Sequence, residues 1–190
     1  MNDASHAPAH WELTKDESYA KCRVFEVRKQ HFIHPSQKAA GDFFVLSSPD
    51  WVNVVPFTDK GEIILVRQFR FGLRDLSWEV PGGMMEPGED PVKTALRELE
   101  EETGWQAQTG KLLASCSPNP AILNNRCFFV LALDLKFHGK TAWDEHEELQ
   151  THIFSEEAVM GMVLRQEIRH SLALNALMYF RAWREGKLLV

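Results

Sequence analysis

The 190-residue chain is short of three things: cysteine, an excess of basic side chains, and any apolar run near the roughly 20 residues that span a bilayer. Each shortage narrows what the protein can be. Cys22, Cys116 and Cys127 form no CxxC pair and cannot all pair with one another, which fits buried free thiols in a reduced cytoplasmic setting. Lys and Arg number 21 against 27 Asp and Glu, a formal net charge of −6. That balance opposes tight non-specific binding to nucleic acid, which needs many cationic contacts with phosphates. It leaves room for a small anionic substrate, because a bound metal ion inverts the local field. Residues Met1–His6 lack the basic-then-apolar pattern of a secretory leader. The eight histidines show no HxxxH spacing, so His146 and His152 read as surface or satisfied polar residues. Internal repeats and low-complexity segments are also missing. The expectation is a soluble protein with no nucleic-acid or membrane partner.

What is present is an ordinary core-forming composition, 44% hydrophobic, in a chain long enough for one domain with an appended arm. Residues 1–18 are polar and aperiodic, the pattern of a frayed tail. Short strands are expected at Cys22–Val27 and Phe43–Leu46, joined by a Pro/Gly/Ser-bearing connection. Trp51–Pro56 and Glu62–Val66 read as a hairpin turning at Asp59-Lys60-Gly61. A helix follows from Pro91 to about Thr103, then strands near 109–116 and 125–135. Leu172, Leu174, Leu177, Met178 and Trp183 give residues 170–185 an amphipathic helical spacing. Strands, one central helix, more strands and then helices indicate an α+β or mixed α/β fold rather than βαβ alternation.

The central helix carries the chemistry. Asp90 suits the N-cap, Pro91 the first helical position and Gly104 the C′ terminator. Val92, Ala95, Leu96 and Leu99 make one apolar face, whereas Glu98, Glu101 and Glu102 project together from another at i, i+3, i+4. Like charges at that spacing cost a few tenths of a kcal/mol per pair, and the negative end of the helix dipole adds to the cost. A hard divalent cation would relieve these repulsions together, since Mg²⁺ prefers carboxylate and carbonyl oxygens. Alone, a glutamate run more often marks a solvated face. Here a Gly82-Gly83 turn, expected to be flexible, precedes the helix where backbone can approach a metal or phosphate. Glu89 and Arg97 flank the helix, and an ion pair between them would pin that loop.

In this register the stretch resembles the Nudix box, G-x5-E-x7-R-E-U-x-E-E-x-G-U with U a bulky apolar residue, at every fixed position. Those positions are Gly83, Glu89, Arg97, Glu98, Leu99, Glu101, Glu102, Gly104 and Trp105. The resemblance implies the Nudix fold, an α/β/α sandwich around a mixed sheet. It further implies that Glu98, Glu101 and Glu102, taken as an exposed cluster, bind Mg²⁺ or Mn²⁺ with help from a carbonyl near Gly82. Gly83, Glu89 and Arg97 would shape the loop.

Outside the box, Trp51–Val55, Val66–Arg70, Trp78–Gly83 and Glu86–Glu89 are similar to the ADP-ribose pyrophosphatase and nucleotide-sugar branch, as are Ser117–Pro120 and Asn125-Arg126. From this follow candidate substrate residues Arg67, Arg70, Trp51, Glu79 and Asn119, with the two guanidiniums suited to a diphosphate. Phe25, Phe32 and Phe44, like Trp51, are candidates to stack on a base. The branch implies a general base from an acidic loop, here Asp144–Glu148, with Glu147 first, then Glu148 and Glu145; Glu101 is the reserve. It also implies an N-terminal β arm at 1–48, a Nudix domain at 49–190 and a symmetric homodimer. The expected reaction cleaves a nucleoside diphosphate sugar, of the ADP-ribose or GDP-mannose type, to a nucleoside monophosphate and a sugar phosphate. Alternatives are a Nudix hydrolase of nucleoside triphosphates or coenzyme A, and a non-catalytic nucleotide-sugar sensor.

Overall fold

A computed structural model describes residues 7–36, 38–143 and 148–188. Its contacts divide into two compact units, one of residues 1–49 with 117–125, the other of 50–116 with 126–190.

The first unit is an antiparallel meander of β1 (Glu12–Lys21), β2 (Glu26–Ile33) and β3 (Ala40–Ser47). Part of the expected frayed tail is therefore a ten-residue strand. Every residue of β1 is exposed, so it has no buried face and no alternation for a sequence reading to detect. Pairing with β2 defines it instead, reinforced by Arg28 Nε donating to Asp16 at 2.7 Å and by edge-on contact of Tyr19 with Phe44 at 5.0 Å. Residues 117–125 join β3 through Leu46 N–H to the Ile122 carbonyl at 2.7 Å.

The second unit is built on a four-stranded mixed sheet in the order β7-β4-β9-β8. Its strands are β4 (Trp51–Pro56), β7 (Gly82–Met84), β8 (Trp105–Cys116) and β9 (Cys127–Phe137), with β4 and β9 parallel. The pleat sorts their side chains between two cores. Val52, Val54, Val130 and Ala132 pack with Ala95 and Leu99 of helix α1 (Pro91–Thr103). Val55, Cys127, Phe129 and Leu131 face the other way, onto Leu172, Ala173, Ala176, Leu177 and Phe180 of helix α3 (Ser171–Arg184). Helix, sheet, helix is the sandwich that the sequence implied. Of the spacing residues in α3, Leu172 and Leu177 are buried as expected while Met178 is half exposed.

The expected hairpin at 51–66 is corrected. Its turn exists, with Gly61 at φ +79° and Thr58 N–H donating to the Glu62 carbonyl at 2.9 Å. The two arms, however, enter different sheets: β5 (Glu62–Arg70) pairs with β6 (Asp75–Glu79) and β10 (Gln150–Ser155). β4 takes β7 and β9 as neighbours, leaving an isolated Phe57–Ile63 bridge between the arms. Strands β6, β7 and β10 and helix α2 (Glu156–Leu164) are further elements that the sequence reading did not delimit.

Candidate active site

Helix α1 begins and ends where its capping residues dictate. Asp90 accepts from Lys93 N–H at 3.0 Å, Pro91 opens the first turn, and Gly104 at φ +71° returns its N–H to the Glu100 carbonyl at 2.8 Å. With the apolar face anchored by Ala95 and Leu99, the three glutamates are not equally placed. Glu102 is 3% exposed and Glu98 mostly buried, whereas the Glu101 side chain is more than a third exposed, so the expected exposed cluster is exposed only at Glu101. Its Oε2 accepts the Gly82 N–H at 3.2 Å, tying the helix to β7.

The Gly82-Gly83 pair is a strand, not a flexible turn: Gly82 pairs with Asn53 and Gly83 with Val52. Glycine is needed here for proximity. A Cβ on Gly82 would overlap the Val52 carbonyl oxygen, and one on Gly83 would lie 2.5–2.7 Å from the Glu98 carboxyl group. The absent side chain is thus what lets the Glu98 carboxylate rest on the loop backbone.

Glu89 shapes the loop chiefly through hydrogen bonds, accepting from Glu86 N–H and Thr94 Oγ1, each at 2.9 Å. Those bonds, with a lesser contribution from Arg97, hold its carboxyl below the ordinary carboxylate range. Arg97 lies 3.7 Å from Glu89 but 2.9 Å from Glu98 and 2.7 Å from Glu101, so its guanidinium stands among the box glutamates.

Do these residues suit a divalent cation? The donor set is all oxygen, the preference of Mg²⁺ and Mn²⁺. The missing Cβ of Gly83 leaves Glu98 its place at the loop. Glu102 is buried yet acidic, a residue type rarely enclosed without a pairing role. As placed, no three His, Cys, Asp or Glu side chains among the described residues stand together as a metal-holding group. Arg97 is interleaved with Glu98 and Glu101 and balances part of their charge. The residues fit.

A cavity of about 480 Å³ opens beside Gly82 and Gly83, lined also by Trp51, Asn53, Arg70, Phe71 and His170. Arg70 and Trp51, two of the expected substrate residues, thus line the same cavity. Glu79 lies behind them, 1% exposed, gripping Arg70 through Nε at 2.9 Å and Nη2 at 2.6 Å. Arg67 is elsewhere. Three residues along β5, it falls on the opposite face of the pleat and lines a second cavity of about 400 Å³ with Phe69, Leu76 and Glu148. Asn119 belongs to the other unit, exposed, its carbonyl closing a turn onto Leu123 N–H at 2.8 Å. Glu145 and Glu147 lie outside the described residues, as does His146. The chain just before them is pinned to the end of α1: Ala142 N–H donates to the Glu101 carbonyl at 2.8 Å and Trp143 Nε1 to the Glu102 carbonyl at 3.0 Å. His170 was missed; no local spacing marks it, because its partner Glu79 is remote in sequence.

Comparison with known proteins agrees with this geometry. The NUDIX domain model matches residues 48–174. Over 138 residues the chain is 33% identical to an ADP-ribose pyrophosphatase of Bacillus subtilis (strain 168), covering 72% of this chain and 75% of that protein. It is 30% identical over 138 residues to a methanol dehydrogenase activator of Bacillus methanolicus, with the same two shares, 72% and 75%. A crystal structure of an ADP compounds hydrolase shares the fold, with a TM-score of 0.84 at 24% identity, covering 96% of this chain and 98% of the other.

Proposed function

The chain belongs to the NUDIX family, a Nudix pyrophosphohydrolase in which, we propose, a divalent metal ion and the Arg70 cavity act together on the diphosphate bridge of an ADP-sugar. The observation that carries this is the gathering of Glu98 and Glu102 against the Gly82-Gly83 strand, whose two glycines also line the cavity that presents Arg70. Glu98, Glu101 and Glu102, with Gly82 backbone, would hold Mg²⁺ or Mn²⁺. Bound there, such an ion lowers the pKa of a water and neutralises charge on the phosphoryl oxygens.

The chain's own residues do the rest. Arg70, oriented by Glu79, binds and aligns the diphosphate, and Trp51 in the same wall offers a face for the base or sugar. The Gly82 N–H fixes the Glu102 carboxylate. Positioning of this kind supplies much of the catalysis in phosphoryl chemistry. Glu147 is the proposed base. It follows Trp143 by four residues in the sequence, and Trp143 is bonded to the helix that carries the glutamates. Glu148, in the second cavity with Arg67, is the lesser candidate. Products are a nucleoside monophosphate and a sugar phosphate. The β1–β3 sheet, with Trp11, Tyr19, Phe43 and Phe44 exposed, is proposed to pair with a second copy in a homodimer.

The test incubates the protein with Mg²⁺ or Mn²⁺ and ADP-ribose, GDP-mannose, nucleoside triphosphates or coenzyme A, identifying products by mass. AMP and ribose 5-phosphate from ADP-ribose are expected. Turnover confined to triphosphates or coenzyme A, or turnover that persists after a chelator has removed the metal, overturns the reading.

A further inference from the structure

The cavity beside Gly82 and Gly83 has Arg70 and His170 as its titratable lining side chains among the described residues, and no carboxylate, in a chain whose net charge is −6. Behind both stands one buried acid. Glu79 takes the Nε–Nη2 edge of Arg70, and His170 Nδ1 lies 3.0 Å from Glu79 Oε2. That approach does not make a hydrogen bond: Nδ1 is a buried nitrogen with no hydrogen-bond partner among the described residues, and the Glu79 carboxylate is 3.0 Å away. His170 is also the N-cap residue of α3 and makes no side-chain capping bond. Ser, Asp, Asn or Thr would cap that helix better, so helix stability is not what suits a histidine to this position.

We propose that His170 contacts substrate: its Nε2 donates to a phosphoryl oxygen of the ligand that Arg70 holds, with Glu79 the shared counter-anion behind both donors. This rests on the diphosphate reading of the site and adds a residue to it. An imidazolium donates from both nitrogens, so Nδ1 can serve Glu79 while Nε2 serves the ligand. Glu79 suits the task because it remains ionised. Burial opposes its charge most strongly, but the two bonds from Arg70 and the His170 imidazole beside it bring its pKa down from 4.5 to about 2. Two donors beside one fixed carboxylate are pre-organised for a tetrahedral anion, and apart from Asn53 the side chains that line the rest of the wall are aromatic or apolar.

Two amide variants separate contact from support. In His170→Asn the amide reaches the place of Nδ1 and can still hold Glu79. In His170→Gln it reaches the place of Nε2 and can still donate to a phosphate. Circular dichroism and thermal unfolding establish that each variant is folded. Calorimetry on the metal-free protein with inorganic pyrophosphate and AMP, and adenosine as the neutral control, measures anion binding directly; steady-state kinetics with ADP-ribose and Mg²⁺ follow. His170→Asn is expected to weaken pyrophosphate binding and raise KM about tenfold or more, as loss of a charge-assisted hydrogen bond does, with kcat within about threefold. His170→Gln is expected to recover most of that loss, and adenosine binding to change in neither. Wild-type affinity and KM in His170→Asn, or no pyrophosphate binding by the wild type, would overturn the proposal. Were the wild type to hydrolyse no nucleotide sugar yet lose pyrophosphate binding on His170→Asn, the substrate reading would fail and the anion contact would stand.

Discussion

The glutamate helix and the Arg70–Glu79–His170 cluster each bury one carboxylate, Glu102 and Glu79, and they surround it in opposite ways. In the cluster one carboxylate, 1% exposed, faces a bidentate guanidinium and an imidazole. Around Arg97 the proportion is reversed: Glu89, Glu98 and Glu101 all lie within 4 Å of its guanidinium, and Glu102 is the next box residue on the helix. A carboxylate matched by its own side-chain partners is a scaffold that orients them. Several carboxylates gathered about one guanidinium offer the oxygen ligands that a hard divalent cation prefers.

The sharpest way to break this contrast is to remove acid from each region. On the helix, Glu102→Gln with Mg²⁺ saturating should lower kcat about 10²–10³-fold, the scale for losing one preorganised electrostatic group. The amide can still accept the Gly82 N–H, so the fold should survive. The wild type should also gain thermal stability as Mg²⁺ or Mn²⁺ is added, since a ligand that binds only the folded state stabilises it, and the variant should lose that gain. Unchanged turnover and an unchanged melting shift would remove α1 as the metal site.

In the cluster, Glu79→Gln should act on stability and its pH dependence. The folded pKa of Glu79 is about 2 against an ordinary 4.5, so its stabilisation is present above 4.5 and is lost as pH falls towards 2. The shift corresponds to a contribution on the order of 3 kcal/mol. Urea unfolding of the wild type from pH 6 to pH 2 should lose that amount, and the variant should show a flatter profile from a lower starting stability. Parallel profiles would mean that Arg70 and His170 do little for the folded state.

A smaller effect tests whether the helix is held locally or by the site. Asp90→Ala removes the bond to Lys93 N–H and should cost about 1 kcal/mol in chemical denaturation, with kcat within a few-fold of wild type. A large kcat loss at that modest cost would show that the start of α1 also positions the glutamates.

These regions differ in how far they could be read from residue order. The helix was legible to the residue because everything that defines it is local: Asp90, Pro91 and Gly104 set its ends, and the spacing of Glu98, Glu101 and Glu102 sets their common direction. Strands β4 and β9 were legible as short apolar runs, the signature of strands buried on both faces. Where burial gives no pattern, reading failed. β1, exposed throughout, passed for a tail, and the β4–β5 turn passed for a hairpin because a turn does not reveal which neighbours its arms will take.

By itself, then, the sequence determined the acidic helix, its caps, the glycines before it and the family to which they point, because each is written within one or two turns of chain. Tertiary structure decided what surrounds that helix. It enclosed Glu102, set Glu98 on the backbone of Gly83, separated Arg67 from Arg70, and brought His170 at the start of α3 to Glu79 at the end of β6. Contacts between distant residues become favourable only after the loops between them close and the cores on both faces of the sheet have formed. No short-range pattern records them.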